Sequence, residues 1–182
     1  MSDSEIPFHY VSTKQEARQL VESHDRFWVS NCGCREKRGG CQQSRMDVCL
    51  VFNPEFGGTG SGLHEVGREE VEAIFREADY ARLVTRPFRN MENLSQTDGI
   101  CFCCDDCCSY FLNHEEVCDR GKYVEDTDRS ACIDCEMCAD ACHFGARTMA
   151  DKILVVEHEK CYGCGICAEV CPQECVRMVP AQ

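Results

Sequence analysis

Two copies of one cysteine spacing fill the last third of the chain and constrain its fold more than any other feature. Residues 132–149 read CIDCEMCADACHFGARTM and residues 161–178 read CYGCGICAEVCPQECVRM, so both copies contain C-x2-C-x2-C-x3-C. The copies align at an offset of 29 residues, which matches each cysteine of the first copy with one of the second. Such an internal repeat predicts two similar halves, each organised around four thiols.

The spacing resembles that of the bacterial ferredoxins that carry two 4Fe-4S clusters, and Pro172 adds the proline that follows the fourth cysteine in that family. The resemblance covers roughly residues 123–182 and implies that the fourth cysteine of each copy reaches across to the other cluster. One cluster would be held by Cys132, Cys135, Cys138 and Cys171, and the other by Cys161, Cys164, Cys167 and Cys142. Because neither half completes a site alone, metal binding would supply much of the folding energy of this segment.

The resemblance implies an α+β module with pseudo-twofold symmetry, and the sequence predicts strands at 123–125, 152–157 and 176–179. Cys175 lies outside the ligand pattern and is expected to be a small buried residue. His143 stands where the family has its proline. It is expected either to open a helix or to donate a hydrogen bond near the cluster sulfurs, which would raise the potential of that cluster.

Ten further cysteines lie in residues 1–122, which we predict to be a separate cysteine-rich domain of mixed α/β structure, followed by the ferredoxin module at 123–182. They form a C-x-C-x6-C-x7-C array and the dense run CFCCDDCC at 101–108. Five cysteines in eight residues have too little reach to wrap one metal cube, so each group is expected to supply half of a site. The predicted metal ligands are Cys32, Cys34, Cys41, Cys49, Cys101, Cys103, Cys104, Cys107 and Cys108.

This first domain is similar to the amino-terminal halves of a loosely characterised group of iron-sulfur proteins from anaerobes. The similarity lies in CGCR at 32–35, ARLV at 81–84 and the run at 101–108, and it departs at Asp106, where that group has a further cysteine. Three interpretations of the thiols stay open: additional iron-sulfur centres, a structural zinc, or a dithiol or disulfide site. Iron is favoured because an iron-binding module follows on the same chain.

The rest of the first domain contains ordinary structural signals. The sequence predicts helices at 13–24 and 68–84 and a strand at 26–30, with Trp28 in the core. GGTGSG at 57–62 has no Lys-Ser or Lys-Thr after it, so it is interpreted as a flexible loop, either a lid or a linker, rather than a phosphate site. The basic residues after Cys34 are expected to form a solvated turn, or else a docking site or an anion pocket beside the metal; they are Arg35, Lys37 and Arg38.

Charge and the amino terminus restrict the partners and the compartment. The formal net charge of -13 disfavours nucleic acid and anionic membranes and favours docking on a basic patch of another protein. The first 20 residues have neither a basic nor an apolar segment typical of a signal peptide, and no apolar run is long enough to insert in a membrane. We therefore expect a cytoplasmic protein, where dense cysteines indicate metal ligation rather than disulfides.

These observations predict an iron-sulfur protein that relays single electrons to or from a larger low-potential oxidoreductase. The six histidines are scattered and no catalytic residue is assigned, so an electron carrier or subunit is favoured over a stand-alone enzyme. The alternative is a reductase in which an amino-terminal iron-sulfur centre acts on a disulfide or a similar substrate, fed by the ferredoxin domain. A metal-delivery protein, which would release its clusters readily to a chelator, is the third possibility.

Overall fold

The structure is a computed structural model that describes residues 6–113 and 116–181. A seven-stranded sheet takes all its strands from the first two thirds of the chain, in the order β4-β2-β3-β6-β5-β1-β7. Its strands pair antiparallel except for β1 and β7, which run parallel. They are β1 His9–Tyr10, β2 Phe27–Ser30, β3 Cys49–Val51, β4 His64–Val66, β5 Val84–Arg89, β6 Thr97–Cys103 and β7 Cys118–Asp119.

Four helices accompany this sheet: α1 Lys14–Glu22, α2 Gly33–Arg38, α3 Arg68–Tyr80 and α4 Ser109–Asn113. The prediction of α1 is confirmed, and it begins at a capping box in which Thr13 and Glu16 satisfy each other's backbone N–H groups. The predicted helix at 68–84 is wrong at its end. Arg82 adopts a left-handed backbone, the Leu83 N–H bonds the Ala78 carbonyl 2.9 Å away, and Val84 already belongs to β5.

The main apolar core lies between the sheet and the helices α1 and α3. It includes Phe75 of α3 and Phe102 of β6, whose rings meet edge to face at 5.3 Å. Trp28 is a correction to the sequence prediction. Its neighbours Phe27 and Val29 enter this core, but side chains alternate along a strand, so Trp28 lies on the other face, partly exposed, with the Arg26 guanidinium 4.8 Å from its ring.

The last third of the chain forms two antiparallel strand pairs and two short helices. β8 Tyr123–Thr127 pairs with β11 Val176–Pro180, and β9 Arg147–Ala150 pairs with β10 Ile153–Val156. The three predicted strands are confirmed, and β9 is an additional one. The helices, α5 Met137–Asp140 and α6 Ile166–Glu169, fall at the repeat offset of 29 residues. The mixture of helices and strands fits the α+β class.

The two copies of the repeat also share their unusual backbone positions. Gly163 and Gly165 have positive φ angles of 76° and 81°, and at the same positions of the first copy Asp134 and Glu136 have positive φ angles of 51° and 68°. Glycine adopts this conformation without strain, whereas a residue with a side chain does not. The repeat thus preserves the turn geometry of the loops even where the first copy has lost the glycine.

Polar contacts join the last third to the sheet. Lys14 forms ion pairs with Asp79 at 2.9 Å and with Glu169 at 2.6 Å, and its own side chain is buried. The Nε2 of His143 donates to the Arg82 carbonyl at 2.9 Å. The helices α1 and α3, which cover the core, are therefore also tied to the segment that contains the repeat.

Candidate metal centres

The first predicted ligand set surrounds one cavity. Cys132, Cys135, Cys138 and Cys171 all line it, together with apolar side chains that include Ile133 and Pro172. Cys135 is exposed and Cys138 is buried, so the cavity lies at the surface. Four thiols around one enclosed space form a donor set that fits an iron-sulfur cluster.

Cys175 lines the same cavity. It is buried, as the sequence predicts for a small side chain outside the ligand pattern. Its Sγ nevertheless lies 3.5 Å from the Sγ of Cys171. Burial raises the pKa of Cys175 to about 11, which keeps it a neutral thiol beside the predicted ligand.

The thiols of the second predicted set are all partly buried. Burial and the nearby thiolates of its three companions raise the pKa of the Cys164 thiol. Burial likewise raises the pKa of Cys167 to about 12. Thiols that are partly removed from water and close to one another are costly as free thiolates and are stabilised by a metal, so the second set also fits a cluster. The four are Cys142, Cys161, Cys164 and Cys167.

A buried arginine lies between the two sets. Arg147 donates to the Glu125 carboxylate at 2.5 Å and to the Thr127 hydroxyl at 2.9 Å, and its charge acts on thiols of both sets, Cys138 and Cys167. Its Nε is buried and has no hydrogen-bond partner among the described residues. A fixed cation and an unpaired donor at this place favour anionic sulfur nearby.

The amino-terminal cysteines separate into two groups, because Cys103 and Cys104 are adjacent and their side chains point to opposite faces. The first group, which we call the thiol row, is a series in which each thiol interacts with the next. It brings together both cysteine groups of the sequence, as predicted. Its order is Cys32, Cys34, Cys108, Cys103, Cys101 and Cys49.

A second buried arginine, Arg86, lies beside the thiol row. The Nη1 of Arg86 lies 3.5 Å from the Sγ of Cys108 and 3.8 Å from the Sγ of Cys103. The guanidinium also stacks over the Tyr110 ring at 4.1 Å and pairs with Glu116 at 2.6 Å. Interactions with neighbouring thiols, and then the Arg86 charge, hold the pKa of Cys103 well below its ordinary value. The row therefore has a strongly acidic thiol at its centre.

The second group, which we call the thiol trio, consists of Cys41, Cys104 and Cys107. The Sγ of Cys104 lies 3.5 Å from that of Cys41 and 3.5 Å from that of Cys107. All three sulfurs lie within 4.8 Å of one another, and no other such group of ligands occurs in the described part of the chain. The interaction with Cys107 lowers the pKa of Cys104 to about 6. Cys118, on β7, belongs to neither group.

The glycine-rich segment is docked rather than free. The Asn31 N–H bonds the Ser61 carbonyl at 2.9 Å, and the Ser61 N–H bonds the Glu36 carboxylate at 2.9 Å. A Cβ on Gly33 would lie 2.2 Å from the Thr59 carbonyl oxygen, so only glycine allows the close approach. The segment covers the start of α2, next to the thiol row. The basic residues beside it also differ from a solvated turn, since Arg35 is fully buried while Lys37 and Arg38 are exposed.

One apolar cluster joins the second ligand set to the thiol row. It contains Cys103 and Cys108 of the row, with Cys164 of the second set packed against it. Phe144 and Tyr162 stack within it at 4.5 Å. The second ligand set therefore lies next to the thiol row, while Cys135 of the first set is exposed to solvent.

Comparison with known proteins identifies the class of the repeat segment. Residues 126–178 match the family model described as a 4Fe-4S dicluster domain. The segment is thus a 4Fe-4S dicluster ferredoxin domain, a class of domain that holds iron-sulfur clusters and transfers electrons. The match does not extend to the thiol row or the trio.

Three curated relatives align over the same part of the chain. One subunit of the ion-translocating oxidoreductase complex of Methanosarcina acetivorans is 33% identical over 60 residues, which is 33% of this chain and 23% of the relative. The pyruvate synthase subunit PorD of Methanothermobacter marburgensis is 41% identical over 51 residues, 28% of this chain and 59% of the relative. Ferredoxin-3 of a Nostoc species is 28% identical over 80 residues, 34% of this chain and 82% of the relative. The chain thus spans less than two thirds of the first two relatives.

A helix that crosses a membrane must be both long and apolar. Among the described residues, no helix combines the necessary length with a sufficiently apolar composition.

Proposed function

We propose that this protein relays single electrons between a protein partner and its own amino-terminal thiol row, through the dicluster domain. The observation that supports this most strongly is the placement of the two ligand sets: Cys135 of the first set is exposed, and Cys164 of the second set packs against the apolar cluster that contains thiols of the row. Each cluster, when bound, supplies a site that takes up and releases one electron. The protein's own residues fix the order of the sites and exclude water between them.

The ligand assignment belongs to this proposal. Cys132, Cys135, Cys138 and Cys171 hold the cluster at the exposed end, and Cys142, Cys161, Cys164 and Cys167 hold the cluster next to the thiol row. The thiol row holds an additional iron-sulfur centre, for which Arg86 is a fixed positive charge and hydrogen-bond donor. Arg147 has the same role between the two clusters of the dicluster domain.

The partner is proposed to be a subunit of a larger low-potential oxidoreductase, in keeping with the names of the first two relatives. It would dock at the exposed set, where Ile133 is 60% exposed and Met137 is 39% exposed. Large apolar side chains at the rim of a redox site, in a chain of net charge -13, fit a partner with a basic and partly apolar patch.

Anaerobic redox titration followed by EPR tests the electron-transfer proposal. The reconstituted protein should contain about eight irons in the dicluster domain and take up one electron per cluster. Its oxidation by a basic haem protein should slow as ionic strength rises, because the attraction of opposite charges is screened. Ile133→Ser, which removes the apolar side chain without adding a charge, should slow this transfer, while Ile153→Ser, at an exposed position on β10, should not. Equal rates for both variants would remove the proposed docking site.

The reductase alternative remains a prediction, and an activity assay on the same protein tests it. If the thiol row reduces a disulfide, the protein should convert a small disulfide to two thiols catalytically in the presence of an excess chemical reductant that supplies two electrons per disulfide. Cys34→Ser should then abolish turnover, because Cys34 is the partly exposed member in contact with Cys108. A single stoichiometric oxidation without turnover would favour the electron carrier.

A further inference from the structure

The thiol trio differs in scale from the predicted cluster sites. In a cubane cluster each cysteine binds its own iron, so the ligand sulfurs stand apart. A tetrahedral zinc with bonds of roughly 2.3 Å to sulfur places its ligand sulfurs only about 3.8 Å from one another. The trio has two sulfur to sulfur distances of 3.5 Å and lies wholly within 4.8 Å. Its dimensions fit a single ion.

We propose that Cys41, Cys104 and Cys107 bind one mononuclear zinc ion, and that Asp106 supplies its fourth ligand. The site is separate from the iron-sulfur centres and does not depend on the proposed electron relay. Zinc suits it because zinc accepts thiolate and carboxylate ligands in tetrahedral geometry and has no redox chemistry of its own. The ion would fasten the loop at 104–107 to the loop that follows α2.

The charge of Arg35 supports this site. The side chain is fully buried, and its hydrogen bonds go to the Ser44 hydroxyl and to the carbonyls of Arg45 and Phe102, none of them a carboxylate. Its Nε has no partner among the described residues. A buried cation without a counter-charge costs several kcal/mol. Three thiolates and one carboxylate around a divalent ion carry a net charge of about minus two, and the guanidinium offsets one unit of it.

Asp106 lies at the rim of the trio; its carboxylate is not within 4.8 Å of all three sulfurs, so binding the ion requires it to move inward. It lies between Cys104 and Cys107 in the sequence, and its carboxylate interacts with the Cys41 thiol. The Gln42 N–H donates to its Oδ2 at 2.9 Å, which fixes the carboxylate at the rim of the trio. Cys41, Asp106 and Arg38 also line a cavity that opens to solvent, so an ion has an entry path.

Metal analysis of the full-length protein gives the first test. Anaerobically purified protein should contain about one zinc in addition to its iron. Cys107→Ser should lose the zinc and keep the iron and the EPR signals of the dicluster domain. Cys118→Ser is the matched control, because Cys118, on β7, is another buried thiol and lies outside the trio; it should keep the zinc.

Cobalt substitution tests the same site without a mutation. Co²⁺ exchanged for zinc in the otherwise native protein should show the sulfur-to-cobalt charge-transfer bands of a tetrahedral thiolate site. Asp106→Asn should weaken metal binding at least about tenfold in competition with a chromophoric chelator, whereas Asp105→Asn should leave it unchanged. Asp106→Cys should restore or tighten it.

Three results would overturn the proposal. Wild-type protein with full iron and no zinc, and with no cobalt spectrum, means that the trio is not a zinc site. Loss of about four irons in Cys107→Ser means that the trio belongs to a cluster. Equal metal affinity in the two aspartate variants removes Asp106 as a ligand. None of these results tests the proposal for the dicluster domain. That proposal would fail if the wild-type protein lacked the EPR signals of its clusters.

Discussion

The two parts of the molecule use cysteine in opposite ways. The amino-terminal sheet has a core cluster of 16 buried residues, most of them large apolar side chains from α1, α3 and the strands. Among the described residues from 123 onward, the buried apolar side chains are few and mostly small: Cys138, Ala141, Ala146, Leu154, Ile166, Cys175 and Val176. In the first part an apolar core stabilises the fold to which the thiols are attached, whereas in the second part the metal-bound thiols must take the place of an apolar core.

Removal of iron should give the largest difference between the parts. We expect chelation under reducing, anaerobic conditions to unfold the strands β8 to β11, because little apolar burial remains to hold them. The strands β2, β3, β5 and β6 should stay folded. Hydrogen exchange read by mass spectrometry measures both at once. Equal loss of protection in the two parts would show that the sheet also depends on iron.

The next largest effect distinguishes cluster ligands from a nearby thiol that binds no iron within the dicluster domain. Cys138→Ser should remove one cluster, about four irons, and its EPR signal. Cys175→Ser should keep all the iron, although its sulfur lies 3.5 Å from that of Cys171 and lines the same cavity. Iron analysis and EPR of the two variants provide the measurement. If Cys175→Ser also loses four irons, the assignment of Cys171 as the ligand has to be exchanged for Cys175.

The same contrast explains how much could be predicted from sequence. The repeat predicts the dicluster domain almost completely, because the irons need thiols at fixed positions and the spacing of the cysteines can be read directly from the sequence. The division of the other cysteines into a row and a trio was not predictable. It depends on β6 running as far as Cys103, so that Cys103 and Cys104 leave the strand on opposite faces.

Two of the three buried arginines were missed for a related reason. Arg86 stands in the apolar stretch LVTRPF, and a charge inside such a strand was a visible signal that something anionic lies opposite. Arg35 belongs to the basic group for which an anion pocket beside the metal was one expectation, whereas Arg147 was not singled out. Only the structure brings each of them next to thiols, by contacts between residues that are distant along the chain.

A core substitution should separate the stability of the sheet from the binding of metal. Phe75→Ala removes a fully buried ring from the core and should lower the free energy of unfolding of the first part by about 3 to 5 kcal/mol. Tyr80→Ala, on the same helix but 87% exposed, should change it by less than about 0.5 kcal/mol. Chemical denaturation followed by Trp28 fluorescence gives both values. Iron content should be unchanged, and a parallel loss of cluster signals in Phe75→Ala would mean that the parts fold as one unit.

The smallest effect concerns His143, where the two parts meet. The sequence allowed His143 to donate a hydrogen bond to the cluster sulfurs. In the structure its Nε2 donates to the Arg82 carbonyl at 2.9 Å, and its Nδ1 lies 3.3 Å from the Asp105 carboxylate. His143→Ala should therefore destabilise the contact between the parts by about 1 kcal/mol and leave the redox potentials of both clusters unchanged. His143→Gln, which keeps a donor within reach, should lose less. A cluster potential that falls in His143→Ala while the stability stays constant would show that His143 donates to a cluster sulfur. The contact between the two parts would then tune the dicluster domain as well as hold it in place.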